Sequence, residues 1–315
     1  MNKRNIINEY NNLRLYNKND YTIFVDSHYE YLKNISPLDK DEMINLFIDD
    51  ETHLVDTKDN IKHFFEIFSV TKKNTHHYYF IDRKQTKTII FFPMPQIAFN
   101  ANFKLLTNMA KRFSEYNILA VDNTSEFFSE HVIDKSKYRE SLMSEINHTL
   151  EDLGWGSTKK YFNVICYGTL VLKDLLHENF LDYEKVIFFA PMVHYKDKSF
   201  KFINKLVDDD IINFPYVYYI GYISINSNIA PLLIPKKYEK LNLNNFDNFF
   251  KEYEAGIDLS KIKNKSGIFV NEDHLIPHEN SGTSEFSDKE FIQGHHMSIF
   301  GEPDNYLNAL SKLIN

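Results

Sequence analysis

The chain holds one thiol, Cys166, in the stretch Val164-Ile165-Cys166-Tyr167-Gly168-Thr169. An apolar, strand-like run precedes it and a helix-patterned run follows. A nucleophile on a sharp strand-to-helix turn needs small neighbours, because the bent backbone leaves little room two residues before and after it. Gly168 meets that need at the later position; Val164, at the earlier one, does not. Leu170, Val171, Leu172, Leu175 and Leu176 fit the helix packed behind such a turn, and its N-terminus would favour a thiolate. Two alternatives stay open. A lone cysteine in an apolar strand is also a small buried hydrophobe. A shifted register, with Gly168 opening the turn, would put Leu170 at the nucleophile position and leave no chemistry.

Two further stretches could complete a site. In Gly267-Ile268-Phe269-Val270-Asn271-Glu272-Asp273-His274-Leu275-Ile276-Pro277, an apolar strand runs straight into acids. Carboxylates at the carboxyl end of a parallel strand lie where active sites form in open α/β sheets, so Asp273 is a candidate to orient an imidazole. The competing reading is a loop or capping acid. In Gly294-His295-His296-Met297-Ser298-Ile299-Phe300-Gly301-Glu302-Pro303, two histidines sit between a short strand and the last helix. No third ligand stands at metal-binding spacing, so no metal is expected there.

The elements that must position these groups follow from hydrophobic periodicity. Apolar strands are expected at residues 76–82, 88–92, 117–122, 161–166, 185–190, 266–270 and 290–294. Helices are expected at 102–113, 138–153, 170–177 and 303–314, between or after those strands. Continuous apolar strands separated by helices indicate a mostly parallel sheet with helices on both faces. Residues 1–75 read as an N-terminal helical extension, with one amphipathic helix over 39–54 and a second through Ile61, Phe64, Phe65, Ile67 and Phe68. Residues 76–315 read as the α/β domain. Residues 195–262 break its rhythm and read as a lid-like insertion. There Phe214, Tyr216, Tyr218, Tyr219 and Tyr222 are equally suited to line an apolar channel or to fill the core of a small subdomain.

Composition narrows the function classes. The chain has 315 residues, 27 Phe and 20 Tyr, ample apolar surface for a large buried core. Its net charge of −8 disfavours nucleic acid as a partner, since phosphate neutralisation needs a basic face. One cysteine excludes an internal disulfide and a Cys-based zinc site. The first nine residues lack the apolar segment of a secretion signal, and no run is long enough to span a membrane. A cytoplasmic location is the expectation.

Nucleophile, acid and histidine, each after a strand and in that order, resemble the α/β-hydrolase superfamily. The tail Gln293-Gly294-His295-His296-Met297-Ser298-Ile299-Phe300-Gly301-Glu302-Pro303 is similar to the end of thioesterase domains of polyketide and nonribosomal peptide synthases. The resemblance implies a triad of Cys166, Asp273 and His296, with His295 as a spacer on the substrate side. It implies an oxyanion hole from the backbone N–H of Tyr167 and one from the loop at Met94 to Gln96. Tyr216 and Tyr219 become candidate substrate contacts. The sequence departs from the pattern in lacking Gly-x-Ser-x-Gly, and Ala190-Pro191-Met192 stands where many such thioesterases carry their acid. The implied activity is thioester hydrolysis or acyl transfer, without a cofactor, on chains carried by a carrier protein or coenzyme A. A sugar O-acetyltransferase or esterase, or an inactive binding module on the same fold, are the alternatives.

Overall fold

The structure is a computed structural model. It describes residues 13–14, 22, 25–26, 29–30, 33, 39–45, 51–73, 76–94, 99–123, 134–166, 168–169, 171–172, 182–191, 193, 234–235, 257–271, 273, 276, 278, 281–294, 296, 298–301 and 303–314. Eight strands form its main sheet: β1 Ser69–Lys73, β2 His76–Ile81, β3 Lys87–Phe92, β4 Asn117–Asp122, β5 Lys159–Ile165, β6 Lys185–Phe189, β7 Lys265–Val270 and β8 Asp288–Ile292. Their order across the sheet is β1-β2-β4-β3-β5-β6-β7-β8. β2 runs antiparallel to both neighbours; every pairing from β4 to β8 is parallel. A separate two-residue bridge pairs Leu13–Arg14 with Ile234–Pro235.

The central strands are apolar without alternation, as strands covered on both faces must be. Ile89, Ile90, Phe91 and Phe92 of β3, and Val186 to Phe189 of β6, are all buried. Helices flank the sheet: α1 Lys40–Asn45, α2 Glu51–Ile67, α3 Phe103–Arg112, α4 Lys135–Asp152, α5 Ser298–Gly301 and α6 Asp304–Ile314. Asp134 caps α4 by accepting a hydrogen bond from the Lys137 amide. On α3, Leu105, Leu106, Met109 and Ala110 turn inward while Lys104, Lys111 and Arg112 face water or the rim.

The sheet reaches into the segment expected to be a helical extension. β1 lies within residues 1–75, and α2 packs Phe64 against Tyr79 of β2 and against Phe103 of α3, ring centroids 5.3 and 4.0 Å apart. The polar, Lys-rich sequence of β1 hid it, because an edge strand is half solvated and carries no long apolar run. Of the helix expected over 39–54, the structure describes α1, through Asn45, and the start of α2, from Glu51; residues 46–50 lie outside the described residues. Most of the 195–262 insertion, including Tyr216 and Tyr219, lies outside the described residues. Its last part returns to the core, where Ile257, Leu259 and Ile262 are buried. No helix among the described residues is long and apolar enough to cross a membrane.

Candidate active site

β5 is gripped by β3 and β6 up to its last residue, and the chain then turns abruptly. Cys166 has φ 48°, in the left-handed region that costs a non-glycine residue about 1–2 kcal/mol. The bend is held from both sides. The Cys166 amide donates to the Phe189 carbonyl at 2.8 Å, and the Thr169 amide donates back to the Cys166 carbonyl at 3.0 Å. Gly168 and Thr169 already have helical geometry. The apex of the turn is therefore the thiol, which corrects the register that would have put Leu170 there; Leu170 itself lies outside the described residues.

Gly168 is required by a close approach. A β-carbon on it would lie 2.9 Å from the Pro93 carbonyl oxygen and 3.2 Å from that of Phe92. The loop leaving β3 thus presses on the start of the helix behind Cys166. Val164, where a small residue was expected, sits fully buried in the sheet, paired with Phe92 and Phe188. The strand accommodates its side chain because the crowding falls on the helix side of the bend.

The acid and the histidine meet. His296 Nδ1 lies 2.7 Å from Asp273 Oδ2, with both side chains 2% exposed. The other carboxylate oxygen, Oδ1, accepts from the Ile276 amide at 2.7 Å. Asp273 thus closes a local turn with one oxygen and meets the imidazole with the other. With each oxygen committed, the carboxylate cannot rotate, and the tautomer and orientation of the ring are fixed. The Phe189 ring lies against the imidazole, centroids 5.8 Å apart, and Tyr306 of α6 meets Phe189 edge-on at 5.2 Å.

Burial alone would push the His296 imidazole toward its neutral form. The negative charges of Asp273 and Cys166, with the hydrogen bond to Asp273, outweigh that, and its pKa stands well above the ordinary histidine value. The thiol therefore lies near enough to the imidazole for its charge to be felt there. Nε2 is buried and makes no hydrogen bond of ordinary geometry among the described residues. Catalytic hydrogen bonds commonly tighten only when substrate is bound. Cys166 itself is 1% exposed.

Met94, a candidate for the oxyanion hole, is buried just past β3 on the loop that touches the elbow helix. Tyr167, Gln96 and His295 lie outside the described residues. No group of three or more potential metal ligands occurs among the described residues. Sequence reasoning missed Phe189 as the wall of the histidine, since within Val186-Ile187-Phe188-Phe189 it reads as one more core residue. It also missed Ile276, although an acid followed three residues later by a buried apolar residue is a recognisable turn signal.

No family model matches the chain, and no curated protein is similar to it in sequence. Solved structures do match in fold. An alpha/beta hydrolase fold protein from Chitinophaga pinensis aligns with TM-score 0.54 at 12% identity, covering 79% of this chain and 97% of its own. A lipase-esterase related protein from Clostridium acetobutylicum aligns with TM-score 0.54 at 12% identity, over 76% and 100%. The serine hydrolase CCSP0084 from Cycloclasticus zankles aligns with TM-score 0.51 at 13% identity, over 78% and 96%. The chain has the α/β-hydrolase fold: a mostly parallel eight-stranded sheet with flanking helices.

Proposed function

We propose that the protein is a hydrolase or acyltransferase that works through an acyl-enzyme on Cys166. The observation that carries the reading is the thiol at a left-handed strand-to-helix apex, acting on an imidazole that a buried carboxylate holds at 2.7 Å. The names borne by the similar structures, among them a serine hydrolase and a lipase-esterase related protein, support the hydrolytic class. Here sulfur stands in for the serine oxygen.

The chemistry follows from the raised basicity of His296. A ring that keeps its proton beside a sulfur stabilises the thiolate, which is the nucleophilic form. The thiolate attacks an ester or thioester carbonyl, and the carbon–oxygen π pair moves onto oxygen. Backbone N–H groups of Tyr167 and of the Met94 loop receive that oxyanion; one such donor is worth about 3 kcal/mol. The intermediate collapses, and the imidazolium gives its proton to the departing alcohol or thiol. His296 then takes a proton from water or from an acceptor, whose oxygen attacks the acyl-thioenzyme and releases Cys166. Asp273 holds the ring and stabilises the imidazolium.

Among acyl donors, thioesters on a carrier protein or coenzyme A are the class the sequence resemblance favours. The test is to incubate the protein with short-chain p-nitrophenyl esters and thioesters, quench with acid, and map the adduct by mass spectrometry. An acyl group on Cys166, absent from Cys166→Ala, is expected. Unchanged turnover in Cys166→Ala would overturn the reading.

A further inference from the structure

Phe189, the last residue of β6, touches both halves of the candidate site. Its carbonyl accepts the Cys166 amide at 2.8 Å and so holds the apex of the turn. Its ring lies against the His296 imidazole, centroids 5.8 Å apart and planes at 56°. One residue thus meets the nucleophile through its main chain and the base through its side chain.

Phe189 is itself held by Tyr306, near the start of α6. The Tyr306 ring meets it edge-on, centroids 5.2 Å apart and planes at 87°. The Tyr306 hydroxyl donates to Asn163 Oδ1 on β5, the strand that leads into Cys166. Both side chains are fully buried. Burial pushes the phenol well above its ordinary value, so it keeps its proton and donates. Tyr306 also follows His296 on the connection out of β8, so α6 anchors the far end of the segment that carries the base. Ring packing alone needs no hydroxyl, and two apolar side chains of the same shape would stabilise this layer about as well. What the pair adds is a directional tie: it fixes where the Tyr306 ring stands, and with it the wall on which the Phe189 ring rests.

We propose that Tyr306 is a positioning residue for the acyl transfer: tied to Asn163, it holds the Phe189 ring that sets the His296 imidazole beside the thiol. Asp273 fixes the imidazole from its Nδ1 side, and the Tyr306–Phe189 stack bears on it from the flank. Asp273 and Cys166 supply the charges acting on that imidazole. Tyr306 brings none and works through packing. The inference rests on the acyl-enzyme reading, in which thiol and base act as a pair.

Iodoacetamide labelling of Cys166 against pH reads how well the pair is set. Tyr306→Phe keeps the ring and removes one hydroxyl; Phe189→Leu removes the wall itself. Phe188→Leu is the control. It takes a ring from the same strand on the opposite face, where Phe188 meets Phe286 at 5.8 Å, and lowers stability without touching the base. With the wild type inflecting below the free-cysteine value of about 8.5, Phe189→Leu should move the inflection upward by about one pH unit, a tenfold loss of thiolate stabilisation. Tyr306→Phe should move it by about half of that, with kcat for ester turnover falling and KM held. Phe188→Leu should keep the wild-type inflection while its melting temperature falls. Should Phe189→Leu not fold, Tyr306→Phe decides alone. A depressed wild-type inflection that Tyr306→Phe leaves in place overturns the proposal and leaves the acyl-enzyme reading standing. An equal shift in Phe188→Leu overturns it too, since loosening the sheet would then suffice. A wild-type inflection at the free-cysteine value removes the acyl-enzyme reading and the proposal with it.

Discussion

Two neighbouring strands end in nearly the same backbone and do different things. β5 ends at Cys166 with φ 48°, and β6 ends at Ala190 with φ 40°. Each apex donates its amide to the next strand: Cys166 to the Phe189 carbonyl and Ala190 to the Ile268 carbonyl, both at 2.8 Å. Each carries a left-handed non-glycine residue and its strain. Only the first bears a functional group, and only the first acts on a charged partner. The left-handed kink is thus a property of how this sheet ends its strands. The candidate site is made by what reaches the thiol from elsewhere: Asp273 beyond β7 and His296 beyond β8.

The largest effect separating the two turns should come from Cys166→Ala, with acyl transfer falling by about 10⁴-fold or more in an ester assay. Next is Asp273→Asn, expected to lower kcat by on the order of 10²–10⁴-fold, because the ring loses both its charge partner and its fixed tautomer. Circular dichroism should show that variant folded; full activity in it would detach the acid from the site. Gly168→Ala is smaller. Its β-carbon would be forced to 2.9 Å from the Pro93 carbonyl oxygen, displacing the loop that carries Met94. A shift near 1 Å in a positioned group costs up to about 10²-fold in kcat, and because the clash is with backbone a fall in stability accompanies it. Ala190→Gly closes the series. It relieves about 1–2 kcal/mol of left-handed strain and returns part of that as unfolded-state entropy. A gain of about 0.5 kcal/mol by denaturant melts is expected, with activity unchanged.

The apolar centre of the fold was legible because its strands are continuous hydrophobic runs: Lys87–Phe92, Asn117–Asp122, Lys185–Phe189 and Lys265–Val270 lie within two residues of their expected bounds. β1 was not, since a Lys- and Thr-bearing edge strand has no such signature. Asp273 and His296 were legible through their place after strands, and the structure brings them together. The register of the turn was ambiguous in the letters, because Gly168 suits either the turn or the close contact. The backbone resolves it: the positive φ falls on Cys166, and Gly168 is needed for the approach of Pro93.

The raised basicity of His296 also sets a pH dependence. Its folded-state pKa exceeds that of an unfolded imidazole, so protonation favours the fold. That contribution is complete below about pH 6.5 and is lost as pH rises through the higher folded value. Between pH 6 and pH 9 the melting temperature of the wild type should therefore fall relative to that of His296→Gln; equal changes in the two would contradict the ion pair.

The most direct measurement is the rate of iodoacetamide labelling of Cys166 against pH, in the folded wild type and in His296→Ala. A thiolate held by an imidazolium gives a wild-type profile whose inflection lies well below the free-cysteine value of about 8.5, moving upward and slowing at neutral pH when His296 is removed. Superimposed profiles, or labelling only after unfolding, would contradict it.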